Sequence, residues 1–167
     1  TQAAGAGSAT FANLSINRPG TGYTLTATSG ALNATSAVFG VTPGAATKLV
    51  FTVPPSTTTA GATITPVVQV AAHDAVGNTA TGFTGTITVA IGTNPGGGTL
   101  SGTTTQSAVA GIATFSNLSI AKAATGYTLT AATTGLAEAT SVSFTVTPGP
   151  ASQLIFTVPP TNAVAGI

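Results

Sequence analysis

The chain has 167 residues and carries a net charge of +1, and only 3% of its residues are charged, against about a quarter in ordinary globular domains. Its three basic residues form no patch for nucleic acid, and without cysteine it has neither disulfides nor thiolate metal sites. No apolar run reaches the roughly 18 residues of a membrane-spanning helix, so we expect no membrane insertion by this segment.

Alternation of apolar residues with threonine predicts an all-β chain from residue 47 onwards. Leu49, Phe51 and Val53 share one face of the first predicted strand, and β-branched threonine suits the solvent face of a pleated strand. The seven predicted strands lie near 47–53, 64–72, 79–92 (with or without a break), 99–107, 111–120, 124–133 and 139–147.

Several of these strands and their connections carry more specific predictions. In the second strand Val68, Val70 and Ala72 are predicted to face inward and Ala71 outward, and in the last strand Val142, Phe144 and Val146 are predicted to share the inner face. Asp74–Asn78 is predicted as a tight turn in which Gly77 takes a positive φ. Asn94–Gly98 is predicted as a longer hairpin loop.

Internal repetition is the most informative feature of the sequence. TFANLSI at 10–16 recurs as TFSNLSI at 114–120, and TGYTLTA at 21–27 recurs at 125–131, each 104 residues later. The period of about 105 residues is the size of one sandwich domain.

The repeat also predicts domain boundaries. LVFTVPP at 49–55 returns as LIFTVPP at 154–160. Residues 1–44 are then the C-terminal part of one unit, 45–149 a complete unit, and 150–167 the first strand of the next. Because these boundaries leave partial units, and because the chain lacks methionine, we expect a processed or internal piece of a longer polypeptide, or neighbouring copies that complete one another.

Two tyrosines and the order of the motifs carry a family resemblance. Tyr127 follows Thr125 and Gly126 at the start of the sixth predicted strand, and Tyr23 has the same place in the preceding unit. The succession VQVAAHDAVGNTATGFTGTITVAI, AGIATFSNLSIAKAATGYTLTA and ATSVSFTVTPG resembles the bacterial Ig-like repeats of large cell-surface proteins, including invasin- and intimin-like repeats. The resemblance implies tandem Ig-like Greek-key β-sandwiches, each with a corner tyrosine whose hydroxyl bonds back across the turn. It implies no catalytic motif.

No constellation for catalysis or for a cofactor is evident, and we expect no enzyme activity. His73 and Asp74 are adjacent on a strand and point to opposite faces, so they are poorly placed for a serine-hydrolase triad. Asp74 and Glu138 are too far apart in sequence to suggest a glycosidase pair. Oxygens of the Asp74–Asn78 turn invite a calcium interpretation, but calcium wants six to eight oxygens, so an Asx-turn is favoured and no metal site is predicted.

The glycine-rich loop, the two lysines and the sequon asparagines also invite functional interpretations, and each has a structural alternative. The glycines at 96–98 lack the Lys-Ser/Thr of a phosphate-binding loop. Lys48 on a wet face and Lys122 in a turn are unsuited to an intramolecular isopeptide bond, which needs a buried lysine. Glycosylation sequons occur at Asn13, Asn33 and Asn117, where glycosylation and simple strand capping both remain open.

Composition and repetition together predict the function class. A surface with almost no charge provides little repulsion between molecules, which suits a protein that assembles outside the cell or on its surface. We expect a structural segment of a bacterial fibre, stalk or filament whose partners are other copies or neighbouring repeats. The alternative is an adhesin-type module that recognises carbohydrate or a host protein through its loops.

Overall fold

The computed structural model describes residues 1–162 and Gly166, and within these residues the protein is all-β and contains no helix. We call residues 1–44 the first segment, 45–149 the central segment and 150–162 the tail. The first segment contains four short strands: β1 (Gly20–Tyr23), β2 (Thr26–Ser29), β3 (Leu32–Thr35) and β4 (Phe39–Val41). The strands of the central segment are β5 (Lys48–Val53), β6 (Thr58–Thr59), β7 (Val68–His73), β8 (Thr86–Ile91), β9 (Leu100–Ser101), β10 (Thr105–Ser107), β11 (Ile112–Phe115), β12 (Ser119–Ile120), β13 (Ala124–Tyr127), β14 (Leu129–Ala132), β15 (Ala139–Thr140) and β16 (Phe144–Thr147).

The central segment folds into sheets that enclose one apolar core. One sheet has the order β11-β7-β5 and another the order β10-β8-β14-β15, with antiparallel pairing throughout both. Strands β13 and β16 pair antiparallel beside β6, which runs parallel to β16. Val70 of β7, Val89 of β8 and Leu129 of β14 belong to the same buried cluster, so the arrangement is sandwich-like.

Burial follows the predicted alternation in most strands. Ile87 and Val89 are buried while Thr86, Thr88 and Ala90 of the same strand are exposed. Ala71 departs from the prediction, because it is buried although an outward position was expected. It pairs on both sides, with Val50 of β5 and Ile112 of β11, so the central strand of this sheet is covered on both edges.

The predicted inner face of the last strand is wrong at Val142, which is 63% exposed while Phe144 and Val146 are buried. Ser141 takes the inward position instead, since its Oγ accepts the N–H of Leu129 at 2.9 Å and donates to the Val142 carbonyl at 2.8 Å. This side-chain bridge separates β15 from β16 and shifts the phase of the alternation by one residue.

The structure also corrects one predicted connection and the start of one predicted strand. Residues 94–98 do not form a hairpin loop, because β8 pairs with β10 and β14 whereas β9 pairs with β12. The loop therefore passes from one sheet to another. The predicted strand 79–92 begins only at Thr86.

The first segment repeats the local structure of β13–β16. The Tyr23 hydroxyl donates to the Arg18 carbonyl and the Tyr127 hydroxyl to the Lys122 carbonyl, both at 2.9 Å. The Leu25 N–H donates to Ser36 Oγ at 2.9 Å, as the Leu129 N–H does to Ser141. Matching sequence motifs thus form matching hydrogen bonds.

What differs between the two copies is burial. Phe11, Leu14 and Leu25 of the first segment are exposed, although their counterparts Phe115, Leu118 and Leu129 lie in the core of the central segment. In the tail, the predicted opening strand of a third unit, residues 150–162 form no regular strand. Residues 163–165 and 167 of that prediction lie outside the described residues.

Candidate functional site

The turn that follows β7 is organised around the carboxylate of Asp74. This side chain is only 3% exposed, and its Oδ1 accepts the backbone N–H groups of Val76 at 3.1 Å and Asn78 at 2.8 Å. The Asp74 N–H donates to the Asn78 carbonyl at 2.9 Å, and Gly77 provides the positive φ of 95° that closes the turn. The tight turn with Gly77 in a positive-φ conformation is therefore confirmed, and its bonding is that of an Asx-turn.

The second carboxylate oxygen connects this turn to residues that precede β5. Asp74 Oδ2 accepts the backbone N–H of Gly44 at 3.0 Å and the side-chain amide of Asn78, also at 3.0 Å. The same Asn78 amide nitrogen donates to the Asn17 carbonyl at 2.9 Å. The Asp74–Asn78 turn, Gly44 and Asn17 form what we call the joint, because they connect the first and central segments.

Electrostatics favour the charged form of Asp74. The side-chain amide of Asn78 is the largest influence that lowers the pKa of this carboxyl, and the backbone N–H groups of Asn78, Gly44 and Val76 act in the same direction. Burial opposes them, and the net result is a pKa of about 2 instead of 3.8. The joint therefore holds a carboxylate at neutral pH that is satisfied by N–H donors.

Gly44 packs directly against the Asp74 side chain, and an added Cβ at residue 44 would make ordinary van der Waals contact with it. A Cβ on Gly44 would lie 3.4 Å from the Cβ of Asp74 and 3.5 Å from its Oδ2. Beside this contact lies an open cleft of about 230 Å³, lined by Ile16 and Val41 from the first segment and by Val76 from the turn. The cleft is mainly apolar, so the hydrogen bonds of the joint lie at the edge of an apolar cleft.

The calcium and triad interpretations of Asp74 fit this geometry poorly. Each carboxylate oxygen already accepts two N–H groups, so a cation would have to displace donors that point at the same lone pairs. Among the residues that the structure describes, no three His, Cys, Asp or Glu side chains form a group able to hold a metal ion. His73 lies at the end of β7, where its backbone pairs with Lys48 and bridges to Thr79, and Glu138 is exposed.

The other candidate residues are distributed over the surface. Lys48 and Lys122 are both exposed, so neither has the burial that an isopeptide bond requires. All three sequon asparagines, Asn13, Asn33 and Asn117, are exposed.

Asn117 nevertheless has a structural role, although its side chain is exposed. Its Oδ1 accepts the Thr103 N–H at 2.8 Å and its Nδ2 donates to the Thr103 Oγ1 at 3.1 Å. A glycan on Asn117 would compete with the second of these bonds.

The glycine-rich loop has a structural partner that sequence reasoning missed. A Cβ on Gly96 would collide with the hydroxyl of Tyr127, and a Cβ on Gly98 would lie 2.8 Å from the same atom. The Asn94 side chain closes the loop by bonding both the N–H and the carbonyl of Gly98 at 2.8 Å. These glycines let the chain cross between sheets directly over the corner tyrosine.

Comparison with known proteins adds no family assignment: no protein-family model matches the chain, and a search of curated proteins finds no match. Over the residues that the structure describes, we find no helix with the length and apolar character needed to traverse a bilayer.

Proposed function

We propose that this chain is a non-catalytic structural segment of a bacterial extracellular or cell-surface fibre, stalk or filament, in which tandem repeats act as rigid spacers or assembly units. The observation that carries the proposal is the joint, in which Asp74 and Asn78 bond to the backbone of Gly44 and Asn17. In a flexible linker, the backbone groups of Gly44 and Asn17 would be hydrogen-bonded to water. Here they connect the two segments through specific hydrogen bonds to Asp74 and Asn78.

The strand arrangement supports Ig-like Greek-key units for these repeats. Strands β5, β7 and β11 lie in one sheet and β8 and β14 in another, while β6 leaves the first strand's sheet to pair parallel with β16. Such a switch of the opening strand between sheets, together with a tyrosine corner, suits an Ig-like sandwich. The matching corners at Tyr23 and Tyr127 favour two units of the same type.

Surface chemistry supports an extracellular, assembling role. Only 3% of the residues are charged, and threonine occupies the outward positions of strands such as β8. A protein of this kind has little charge repulsion to oppose lateral or end-to-end contact. Both tyrosine hydroxyls donate their protons in corner bonds, so neither is a free donor for an adhesin-type carbohydrate site.

Immunogold electron microscopy of intact producing cells tests this proposal. Antibodies raised against residues 45–149 are expected to decorate surface threads at regular axial spacing. Labelling confined to the cell interior would overturn the extracellular assignment. Strong and selective binding of the purified chain on a glycan array would favour the adhesin alternative over the spacer.

A further inference from the structure

The hydroxyl of Tyr23 bonds to a carbonyl that is adjacent to the joint. It donates to the Arg18 carbonyl at 2.9 Å, and the preceding carbonyl, that of Asn17, accepts the Asn78 amide at 2.9 Å. Peptide units are rigid and nearly planar, so fixing one carbonyl restricts where its neighbour points. A bond inside the first segment and a bond between the two segments therefore act on the same short turn.

The residue that follows Arg18 stiffens this turn further. The ring of Pro19 fixes its φ at about −65°, and a proline also disfavours helical backbone at the residue before it. Pro19 lines the cleft beside the joint. The Asn17 carbonyl is thus presented to Asn78 by a turn that is restricted by a proline on one side and by the Tyr23 hydroxyl on the other.

Tyr23 also connects the two stretches of the first segment that reach the joint. Strand β1 begins three residues after Asn17, and β4 ends three residues before Gly44. The two strands pair, with Tyr23 opposite Phe39 and the ring centroids 6.0 Å apart. The tyrosine ring therefore packs on the strand that leads to Gly44, while its hydroxyl holds the turn that contains Asn17.

The two bonds that cross the joint meet at one amide group. Asn78 Nδ2 donates to the Asn17 carbonyl and also to Asp74 Oδ2, which is the atom that accepts the Gly44 N–H. Because these bonds share partners, a displacement of the Asn17 carbonyl disturbs Asn78 and, through it, the acceptor of Gly44. Loosening of the turn is thereby transmitted to the second connection between the segments.

We propose that Tyr23 is a positioning residue for the joint, because its hydroxyl holds the turn at residues 17–18 where the Asn78 amide reaches it. The inference deepens the proposed function and rests on it, since it assumes a joint that stays closed in solution. Water can satisfy the Arg18 carbonyl in place of the hydroxyl, because Tyr23 is only half-buried. Water does not, however, fix that carbonyl relative to β1, so Tyr23→Phe loosens the joint without greatly changing the free energy of unfolding.

Amide hydrogen exchange at Gly44, followed by NMR in the whole chain, measures opening of the joint, because the bond from this N–H to Asp74 crosses it. Tyr23→Phe is expected to speed this exchange by about three- to tenfold, the effect of losing one hydrogen bond. Asn78→Ala removes the bond to Asn17 directly and should speed it at least as much. The matched control Tyr127→Phe removes the same corner bond within the central segment and should leave Gly44 exchange unchanged.

The Leu49 amide, which bonds to the Ala137 carbonyl within the central segment, is the internal reference. Its exchange rate should be the same in the wild type and in Tyr23→Phe. Equal acceleration at Gly44 and Leu49 would show a general loss of stability and would overturn the positioning role. A protected Gly44 amide in both proteins would also overturn that role while leaving the rigid spacer intact. An unprotected Gly44 amide in the wild type would overturn the rigid spacer and the positioning role together.

Discussion

The carboxylate of Asp74 accepts the backbone N–H of Gly44 at 3.0 Å, although the two residues are 30 positions apart in the chain. Gly44 ends the VTPG motif that returns at 146–149, so the glycine stands at both predicted boundaries. Because the bonds made to Gly44 and Asn17 involve backbone atoms, the joint depends on backbone position more than on side-chain identity in the first segment.

The first prediction concerns the pH dependence of the joint. The pKa of Asp74 is lowered to about 2 from 3.8, so the folded protein favours the carboxylate. The stabilisation is fully present above about pH 3.8 and is lost as the pH falls through about 2. Thermal unfolding between pH 6 and pH 2 should therefore show a fall in Tm below pH 4 in the wild type.

Asp74→Asn is the control for this titration. Its Tm should be lower than that of the wild type at pH 6 and should change much less between pH 4 and pH 2. The remaining acid, exposed Glu138, is present in both proteins. Parallel Tm curves for the two proteins in this range would rule out Asp74 as the titrating group.

The second prediction compares two leucines at equivalent positions. Leu118 is 1% exposed and Leu14 is 63% exposed. Leu118→Ala should reduce the free energy of unfolding by about 2–5 kcal/mol, because it opens a cavity in a closed core. Leu14→Ala should change it by only about 0.5 kcal/mol or less, as exposed substitutions usually do. Urea denaturation measures both, and a large loss at Leu14 would mean that the first segment is buried in solution.

The third prediction concerns the corner hydroxyl. Tyr127→Phe removes the bond to the Lys122 carbonyl inside a buried site and should lower the free energy of unfolding by about 1 kcal/mol. Tyr23→Phe removes the same bond at a half-buried site, where water replaces it, and should have a smaller effect. Equal losses in urea denaturation would contradict the dependence on burial.

The fourth prediction couples the glycine loop to this corner. Gly96→Ala should destabilise the protein because its Cβ collides with the Tyr127 hydroxyl, and part of that loss should vanish in a Tyr127→Phe background. A double-mutant cycle measures the coupling, with an expected magnitude of about 0.5–3 kcal/mol. Gly97→Ala, a control at a loop position with a φ of 58° and no close neighbour, should show no coupling to residue 127. If the losses in the free energy of unfolding caused by Gly96→Ala and Tyr127→Phe simply add, the steric contact between the two residues is refuted.

Local patterns predicted most of the alternation and the Asp74–Asn78 turn, because alternation and turn residues act over a few positions. Ile87 and Val89 are buried as their spacing indicates, and Gly77 closes the turn after His73. Alternation failed at Val142, because a hydrogen bond from Leu129 to Ser141 draws a polar residue inward. The periodicity of the sequence does not predict that hydrogen bond.

Contacts between distant residues could not be predicted in the same way. The turn around Asp74 was evident, but its bonds to Gly44 and Asn17 depend on how two segments meet. The glycines at 96–98 were predicted to lie in a hairpin loop, whereas the structural reason for Gly96 and Gly98 is the close approach of Tyr127, about 30 residues later. For the joint, the recurrence of VTPG at a unit boundary was the one available signal.

Residual dipolar couplings of backbone amides test most directly whether the joint holds the two segments in one fixed orientation. Couplings from β1 and β4 of the first segment and from β5–β16 of the central segment should fit a single alignment tensor in the wild type. With Asn78→Ala, which removes the bonds to Asp74 and Asn17, the two sets should need separate tensors, the one for the first segment being smaller. Separate tensors in the wild-type protein would contradict the account of the chain as a rigid spacer.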